Sequence, residues 1–321
     1  MDIQKIKQNK TTEELLEFGV INLDKSSGPT SFNVSEFAKK QLKARKTSHF
    51  GTLDPKVTGV LPVAINRACK LAGYFLGEDK TYVGIMQIHE DIELEKIEKA
   101  IKEKFLGEII QLPPLKSRVK RQERPRTIYE FKLLEKEGKN ILFKVKCEGG
   151  TYIRKLCTDL GDYLKIGAHM LELRRTNAGI FAEHDKDYPV VSLYDFEKAV
   201  NEYKEGNDKA LREMIIPGEI IHQLHPTIEI KSEAVKRIFT GSPIHDDEVT
   251  KKEHLKHKKD QRLVVFSKDQ FIGMFKVIKE GNLYARSEFT MQPINEIKNN
   301  SHSDRNSKEI ERLKKEGLII K

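Results

Sequence analysis

His49-Phe-Gly-Thr-Leu-Asp-Pro-Lys-Val-Thr-Gly-Val-Leu-Pro62 sets one carboxylate, Asp54, between turn-forming residues and an apolar run. Pro55 fixes its own φ and biases Asp54 away from helix, while Gly51 and Gly59 admit backbone angles closed to other residues. This is how a chain presents one reactive side chain on a rigid loop that enters a buried segment. Alone, an Asp-Pro pair reads as an Asx-turn that caps its own backbone. The surrounding pattern is too specific for that reading.

Outward from the loop, Gly19-Val-Ile-Asn-Leu-Asp24 reads as a short buried strand. Lys25-Ser-Ser-Gly-Pro-Thr-Ser31 reads as a loop whose Thr30 or Ser31 caps a helix over Phe32 to Leu42. Val60 to Tyr74 is largely apolar, and Lys80 to Ile88 alternates as a strand that carries Tyr82. Asp91 to Phe105 has helical spacing, which Pro113-Pro114 ends. Alternating runs at Tyr129 to Leu134 and Ile141 to Cys147 flank Glu137-Gly-Lys-Asn140 as a hairpin. Gly149-Gly-Thr-Tyr-Ile-Arg154 is a glycine turn that opens a helix, and His169 to Arg175 reads as a strand. Leu193 to Met214 is helical and charged, and Pro217-Gly218 looks like a linker.

The stretch from His49 to Leu61 resembles the catalytic motif of the TruB/dyskerin family of RNA pseudouridine synthases. The resemblance implies a nucleophile at Asp54, paired as a buried carboxylate with Arg154 of Gly-Thr-Tyr-Ile-Arg. It also implies a base-stacking Tyr82 that is a candidate for proton transfer, and an apolar Leu173 closing the pocket. Taken singly these are a solvated helix residue, a half-buried strand residue and an ordinary core residue. Their co-occurrence points to one site. The family chemistry breaks the bond from ribose to nitrogen 1 of uracil and reattaches the base through carbon 5, without cofactor or metal. The carboxylate acts either at carbon 6 or at the anomeric carbon.

RNA contacts are expected at His49, near the stack left by a flipped uridine, and at Lys25, as a phosphate contact or as structural support. The family's Pro after that lysine is Ser26 here. Lys116, Arg118, Lys120 and Arg121 belong to a basic segment, 116–126, with six cationic side chains and one acid. That run is either a solvated face or a phosphate-binding stretch whose affinity falls with salt.

Gln-Leu-Pro-Pro-Leu-Lys-Ser-Arg-Val-Lys-Arg and Gly-Ala-His-Met-Leu-Glu-Leu-Arg-Arg-Thr favour the archaeal dyskerin type. That type implies an H/ACA guide RNA and three small partners: a zinc-ribbon-like protein, a β-barrel protein and a kink-turn binder. Phe50 departs from the Ser usual there. A standalone synthase of the tRNA T-loop uridine and a non-catalytic RNA scaffold are the alternatives.

From Pro226 the texture becomes β-rich. Its order of strand, helix, Thr-Gly turn and Phe-Ile-Gly-Met hairpin resembles the PUA domain, an RNA-binding module, with an exposed basic loop at 254–262. The expected organisation is an extension over 1–18, a catalytic domain over 19–222, a PUA-like domain over 223–297 and a charged tail over 298–321. The expected fold class is α+β: a mixed, largely antiparallel sheet flanked by helices, plus a small β-barrel-like domain.

Composition is compatible with this. In 321 residues, 58 Lys and Arg against 49 Asp and Glu give +9, which suits a polyanionic partner. Cys69, Cys147 and Cys157 form neither a disulfide framework nor a zinc motif, so a reducing cytosol is expected. The polar start has no apolar h-region, and no run reaches the roughly 18 apolar residues that span a bilayer.

Overall fold

A computed structural model describes residues 2–113 and 120–293. The described residues form two compact units, Asp2–Ile220 and 221–293. In the first, α1 (Ile3–Gln8) and α2 (Thr12–Glu17) lead into β1 (Phe18–Lys25), α3 (Ser31–Leu42), β2 (Thr47–His49) and β3 (Thr58–Asn66). Then come α4 (Ala72–Phe75), β4 (Lys80–Ile88), α5 (Leu94–Lys104), β5 (Gly107–Gln111), β6 (Arg124–Glu137) and β7 (Asn140–Cys147). The unit closes with α6 (Ile153–Leu164), β8 (Ala168–Ala178), β9 (Phe181–Ala182), β10 (Val191–Ser192), α7 (Leu193–Lys204), α8 (Lys209–Met214) and β11 (Ile215–Pro217).

One sheet runs through the unit in the order β10-β1-β3-β8-β4-β7-β6-β5, with β11 on β1, β2 on β3 and β9 on β8. Among the described residues the β1–β10 and β3–β8 pairings are parallel and the others antiparallel, in agreement with the expected fold class. The central β1 and β3 are buried along almost their whole length, in keeping with the apolar runs at 18–21 and 60–65, whereas β4 alternates buried and half-buried positions. α5 and α6 bury Ile97, Ala100 and Ile101, and Ile153, Leu156, Cys157 and Leu160, as single stripes in the core shared with Phe131, Phe143 and Val145.

The leader is part of this unit: Ile3, Ile6 and Leu15 are buried, and Thr11 with Glu14 forms a capping box for α2. Pro217-Gly218 does not serve as a linker. Ile215, Ile216 and Pro217 are buried and pair with Ile21, Val20 and Gly19 of β1. Thr30 caps α3 through a capping box with Asn33. The expected hairpin pairs Glu137 with Asn140, with Gly138 at a φ of 54° in its two-residue turn.

The second unit holds β12 (Thr227–Glu229), α9 (Val235–Phe239), β13 (Ile244–His245), β14 (Arg262–Ser267), β15 (Gln270–Glu280) and β16 (Leu283–Thr290). Its sheet order is β12-β14-β15-β16-β13. Its own core gathers Ile228, Ile238, Phe239, Leu263, Val265, Phe275, Val277 and Tyr284. Among the described residues no helix is long and apolar enough to cross a membrane.

Candidate active site

Asp54 lies in the connection from β2 to β3, as the first residue of a turn closed by the Val57 N–H on the Asp54 carbonyl (3.0 Å), with Pro55 and Lys56 at the corner. The turn is held from beneath. Lys25, at the end of β1, has no exposed surface, and its ammonium donates to the carbonyls of Ser26 (2.9 Å), Pro55 (2.8 Å) and Val57 (2.7 Å). All three ammonium protons are thus engaged, so the expected RNA contact at Lys25 is corrected. The residue is an internal staple. Burial pushes its pKa below the ordinary lysine value.

A second staple comes from α3. The buried Ser31 hydroxyl accepts the Leu53 N–H (2.7 Å) and donates to the Leu53 carbonyl (3.0 Å), while the Gly28 N–H reaches the Pro55 carbonyl (2.9 Å). A third comes from β8. Arg175 is 1% exposed, and its guanidinium donates to the carbonyls of Val60 (2.8 Å) and Gly51 (3.0 Å), one on each side of the turn. Gly59, at a φ of 101°, lets β3 meet β8, since a Cβ there would sit 2.2 Å from the Arg175 carbonyl oxygen.

Arg175 also lies beside Tyr82, which is opposite it in the β4–β8 register. Burial pushes the Tyr82 hydroxyl above the usual phenol pKa, and the guanidinium pulls the other way without overcoming burial. Tyr82 therefore rests as a neutral phenol at neutral pH. Leu173 is two residues before Arg175 on the same strand face and opposite Gly84, where a Cβ would meet Leu173 Cδ1 at 2.7 Å. Leu53 and Val57, on either side of Asp54, share one apolar cluster with Tyr82 and Leu173.

Arg154 approaches from another element. It is the second residue of α6, and its guanidinium pairs with the Asp54 carboxylate. Asp54 Oδ2 and Arg154 Nη2 are in direct contact. The side chains are 50% and 53% exposed, so the expected buried carboxylate is corrected: the pair is open to solvent. An exposed ion pair adds little stability. What it supplies is a fixed direction for the carboxylate.

Half-buried His49 contacts the Thr52 hydroxyl through Nε2 (3.2 Å), and burial, followed by the nearby Arg175, lowers its pKa, which leaves the ring neutral at pH 7. Lys120 and Arg121 are exposed, whereas Lys116 and Arg118 lie outside the described residues. Lys80, 4% exposed and close to Arg175, has a pKa lowered to about 8 by desolvation first and by that arginine second.

The sequence reading takes Lys80 and Arg175 only as strand residues and Ser31 only as a candidate helix cap, none with a role at this site. Arg175 had a usable signal, because strand alternation puts it on the same face as Leu173. Arg174 points the other way and forms ion pairs with Asp24 (2.9 Å) and Glu183 (2.5 Å).

A model of the TruB family pseudouridylate synthase N-terminal domain matches residues 39–153, and a tRNA pseudouridylate synthase B C-terminal domain model matches residues 154–222. A protein named probable tRNA pseudouridine synthase B from Methanopyrus kandleri is 45% identical over 73% of this chain and 68% of its own length. The chain is also similar to solved structures. In a Cbf5-Nop10-Gar1 complex the TM-score is 0.81 at 36% identity, covering 90% of this chain and 89% of the other. In an H/ACA RNP bound to a substrate RNA containing 2'-deoxyuridine it is 0.78 at 34% identity, covering 89% of each chain. With its loop, its strands and its ion pair in the arrangement described above, the chain belongs to the TruB family and is an RNA pseudouridine synthase, an isomerase.

Proposed function

We propose that Asp54 is the residue of this synthase that attacks the target uridine, and that it acts within a complex directed by an H/ACA guide RNA. The observation that carries the first part is the contact between Asp54 and Arg154 on a loop held by Lys25, Ser31 and Arg175. A nucleophilic carboxylate must be ionised, reachable and aimed. Solvent exposure favours the first two, and the guanidinium favours the third.

In the reaction the glycosidic bond from ribose to nitrogen 1 breaks and a bond to carbon 5 forms. The carbon 5 proton leaves to a base and nitrogen 1 regains a proton, so no atom is gained or lost. Tyr82 stacks on the flipped uracil as a neutral phenol, and Leu173 closes the opposite side. His49, Lys120 and Arg121 contact the RNA, together with Lys116 and Arg118. The second unit acts as a PUA-like RNA anchor. No cofactor or metal enters.

Guide dependence is supported by the likeness to Cbf5 in complexes that include Nop10, Gar1 and substrate RNA, over about nine-tenths of the chain. The three assisting proteins would be of the zinc-ribbon-like, β-barrel and kink-turn-binding kinds. A second reading, a standalone synthase for tRNA, is favoured by the name of the Methanopyrus relative. A scaffold without catalysis is disfavoured by the intact Asp54, Tyr82 and Arg154 set. Mass spectrometry of two RNAs separates these readings: a tRNA transcript with the chain alone, and a target RNA with guide and partners. Conversion of the target only when a guide is present supports the proposal. Conversion of tRNA by the chain alone supports the second reading, and no conversion of either RNA supports the scaffold.

A further inference from the structure

Arg154 can aim Asp54 only if the start of α6 is fixed, and α6 begins without a side-chain cap. Its first flanking residue, Tyr152, makes no capping hydrogen bond through its side chain. The anchor comes from elsewhere in the chain. Gln111, the last residue of β5, is 1% exposed, and its amide brackets the Tyr152 backbone. Oε1 accepts the Tyr152 N–H at 2.9 Å and Nε2 donates to the Tyr152 carbonyl at 3.1 Å. The same carbonyl accepts the first helical bond, from the Leu156 N–H at 3.0 Å. A side-chain amide thus stands in for one residue of an antiparallel strand.

Gln111 faces Arg124 in the β5–β6 register. From β6, Thr127 exchanges bonds with Glu148 at the other side of the same turn: its N–H reaches Glu148 Oε2 (3.0 Å) and its carbonyl accepts the Glu148 N–H (2.8 Å). Arg126 leans over Gly150, with its guanidinium 3.2 to 3.5 Å from where a Cβ would stand. The two strands that border the basic segment therefore grip residues 148–152, immediately ahead of Arg154.

We propose that Gln111 is a positioning residue for the isomerisation. It fixes the first turn of α6 and thereby the place where the Arg154 guanidinium meets Asp54. This rests on the reading of Arg154 as the partner of a reacting Asp54. Because the amide is buried and its hydrogen bonds go to the Tyr152 backbone, its loss acts on the chemical step through Arg154 and leaves RNA affinity nearly unchanged.

The test is a double-mutant cycle of Gln111→Leu and Arg154→Ala in the full chain, under the conditions in which the wild type converts RNA. Single-turnover rate at saturating RNA, RNA Kd and Tm are measured for each protein. Gln111→Leu alone should slow the single turnover by roughly 10- to 100-fold, the cost of misplacing a catalytic group by up to about 1 Å. Its Kd should stay within about twofold, and in the Arg154→Ala background it should cost almost nothing further, as expected for residues acting through one contact. Gln111→Glu, which keeps the acceptor and loses the donor, should lie between wild type and Gln111→Leu. It also serves if the leucine variant does not fold. An equal fold-loss from Gln111 substitution in both backgrounds would overturn the proposal, as would an unchanged rate in a folded variant. If Arg154→Ala alone turns over like wild type, the underlying reading of Arg154 fails, and the positioning role falls with it.

Discussion

Two cationic side chains near Asp54 do opposite things. Lys25 lies wholly inside, spends its three protons on backbone carbonyls and touches no carboxylate in the loop. Arg154 is half exposed and makes its contact with the carboxylate itself. The difference separates two requirements of a reactive loop. The peptide groups must not move, so buried donors from two strands and a helix hold them. In the proposed role of Asp54 its oxygen atoms must be approached, and they are left at the surface with an aimed partner. On that proposal stability resides beneath the turn and chemistry above it.

That division is broken most severely by filling the space under the turn. Gly59→Val places a branched side chain at a φ of 101°, with its Cβ 2.2 Å from the Arg175 carbonyl. A loss of about 4 kcal/mol or more is expected, at the upper end of single-substitution effects. A thermal melt of the purified variant checks this, and a Tm near wild type would show that β3 and β8 are not in such close contact.

Lys25→Met should come next. It strands buried carbonyls at roughly 1–3 kcal/mol each, offset in part by removal of a desolvated charge, so a net loss of about 2–4 kcal/mol is expected. For a unit of this size that is roughly a 4–16 °C fall in Tm. RNA affinity at fixed salt should be unchanged where the variant is folded. A large affinity loss with intact Tm would restore Lys25 as a phosphate contact.

Tyr82→Phe sharpens the comparison from the pocket side. Losing the hydroxyl beside Arg175 should cost no more than about 1 kcal/mol of stability, the value of one hydrogen bond. If that hydroxyl moves a proton, the single-turnover rate drops by about 10²-fold or more while RNA binding persists. A rate equal to wild type would reduce Tyr82 to a stacking surface.

The smallest effect belongs to His49. Its folded pKa lies below the ordinary histidine value of 6.5 because of burial and Arg175, so the unfolded chain binds the proton more readily. Its contribution to stability is therefore present above pH 6.5 and is lost as pH falls through the lowered folded value. His225 and His257 also have lowered pKa values, so the readout is the difference between wild type and His49→Gln. Denaturant titrations at a series of pH values should show a flatter acid limb in the variant. Parallel curves would mean that His49 is not desolvated in the fold.

Much of this architecture is legible in the sequence because it depends on local rules. Thr30 ahead of a helical run marks α3, Gly138-Lys139 between alternating runs marks a hairpin, and the alternation from Lys80 to Ile88 marks β4. The Asp54 loop is legible for the same reason, its turn residues being adjacent in the chain. What escapes is the role of long polar side chains in tertiary contacts. Lys25 in a Ser- and Gly-rich loop, Gln111 ahead of two prolines and Arg175 in an Arg-Arg pair all look solvated, because each carries a group that is usually hydrated. Their burial is decided by carbonyls more than 30 residues away in the case of Gln111 and more than 100 in that of Arg175. The exposure of Asp54 is hidden too, since a motif specifies a turn and not the depth at which it lies. The leader's packing rests on Ile3, Ile6 and Leu15, too few apolar positions for a periodicity to stand out.

The central claim, that the Asp54 carboxylate does the chemistry while buried groups beneath it carry the fold, is tested most directly by Asp54→Asn. Single-turnover conversion of uridine to pseudouridine, quantified by mass spectrometry at saturating RNA, is measured beside Tm and RNA Kd. The account predicts no detectable conversion, with Tm and Kd close to wild type, because the substitution keeps the shape of a half-exposed side chain and removes only its charge. Conversion near the wild-type rate would contradict it, and so would a variant that loses activity only because it no longer folds.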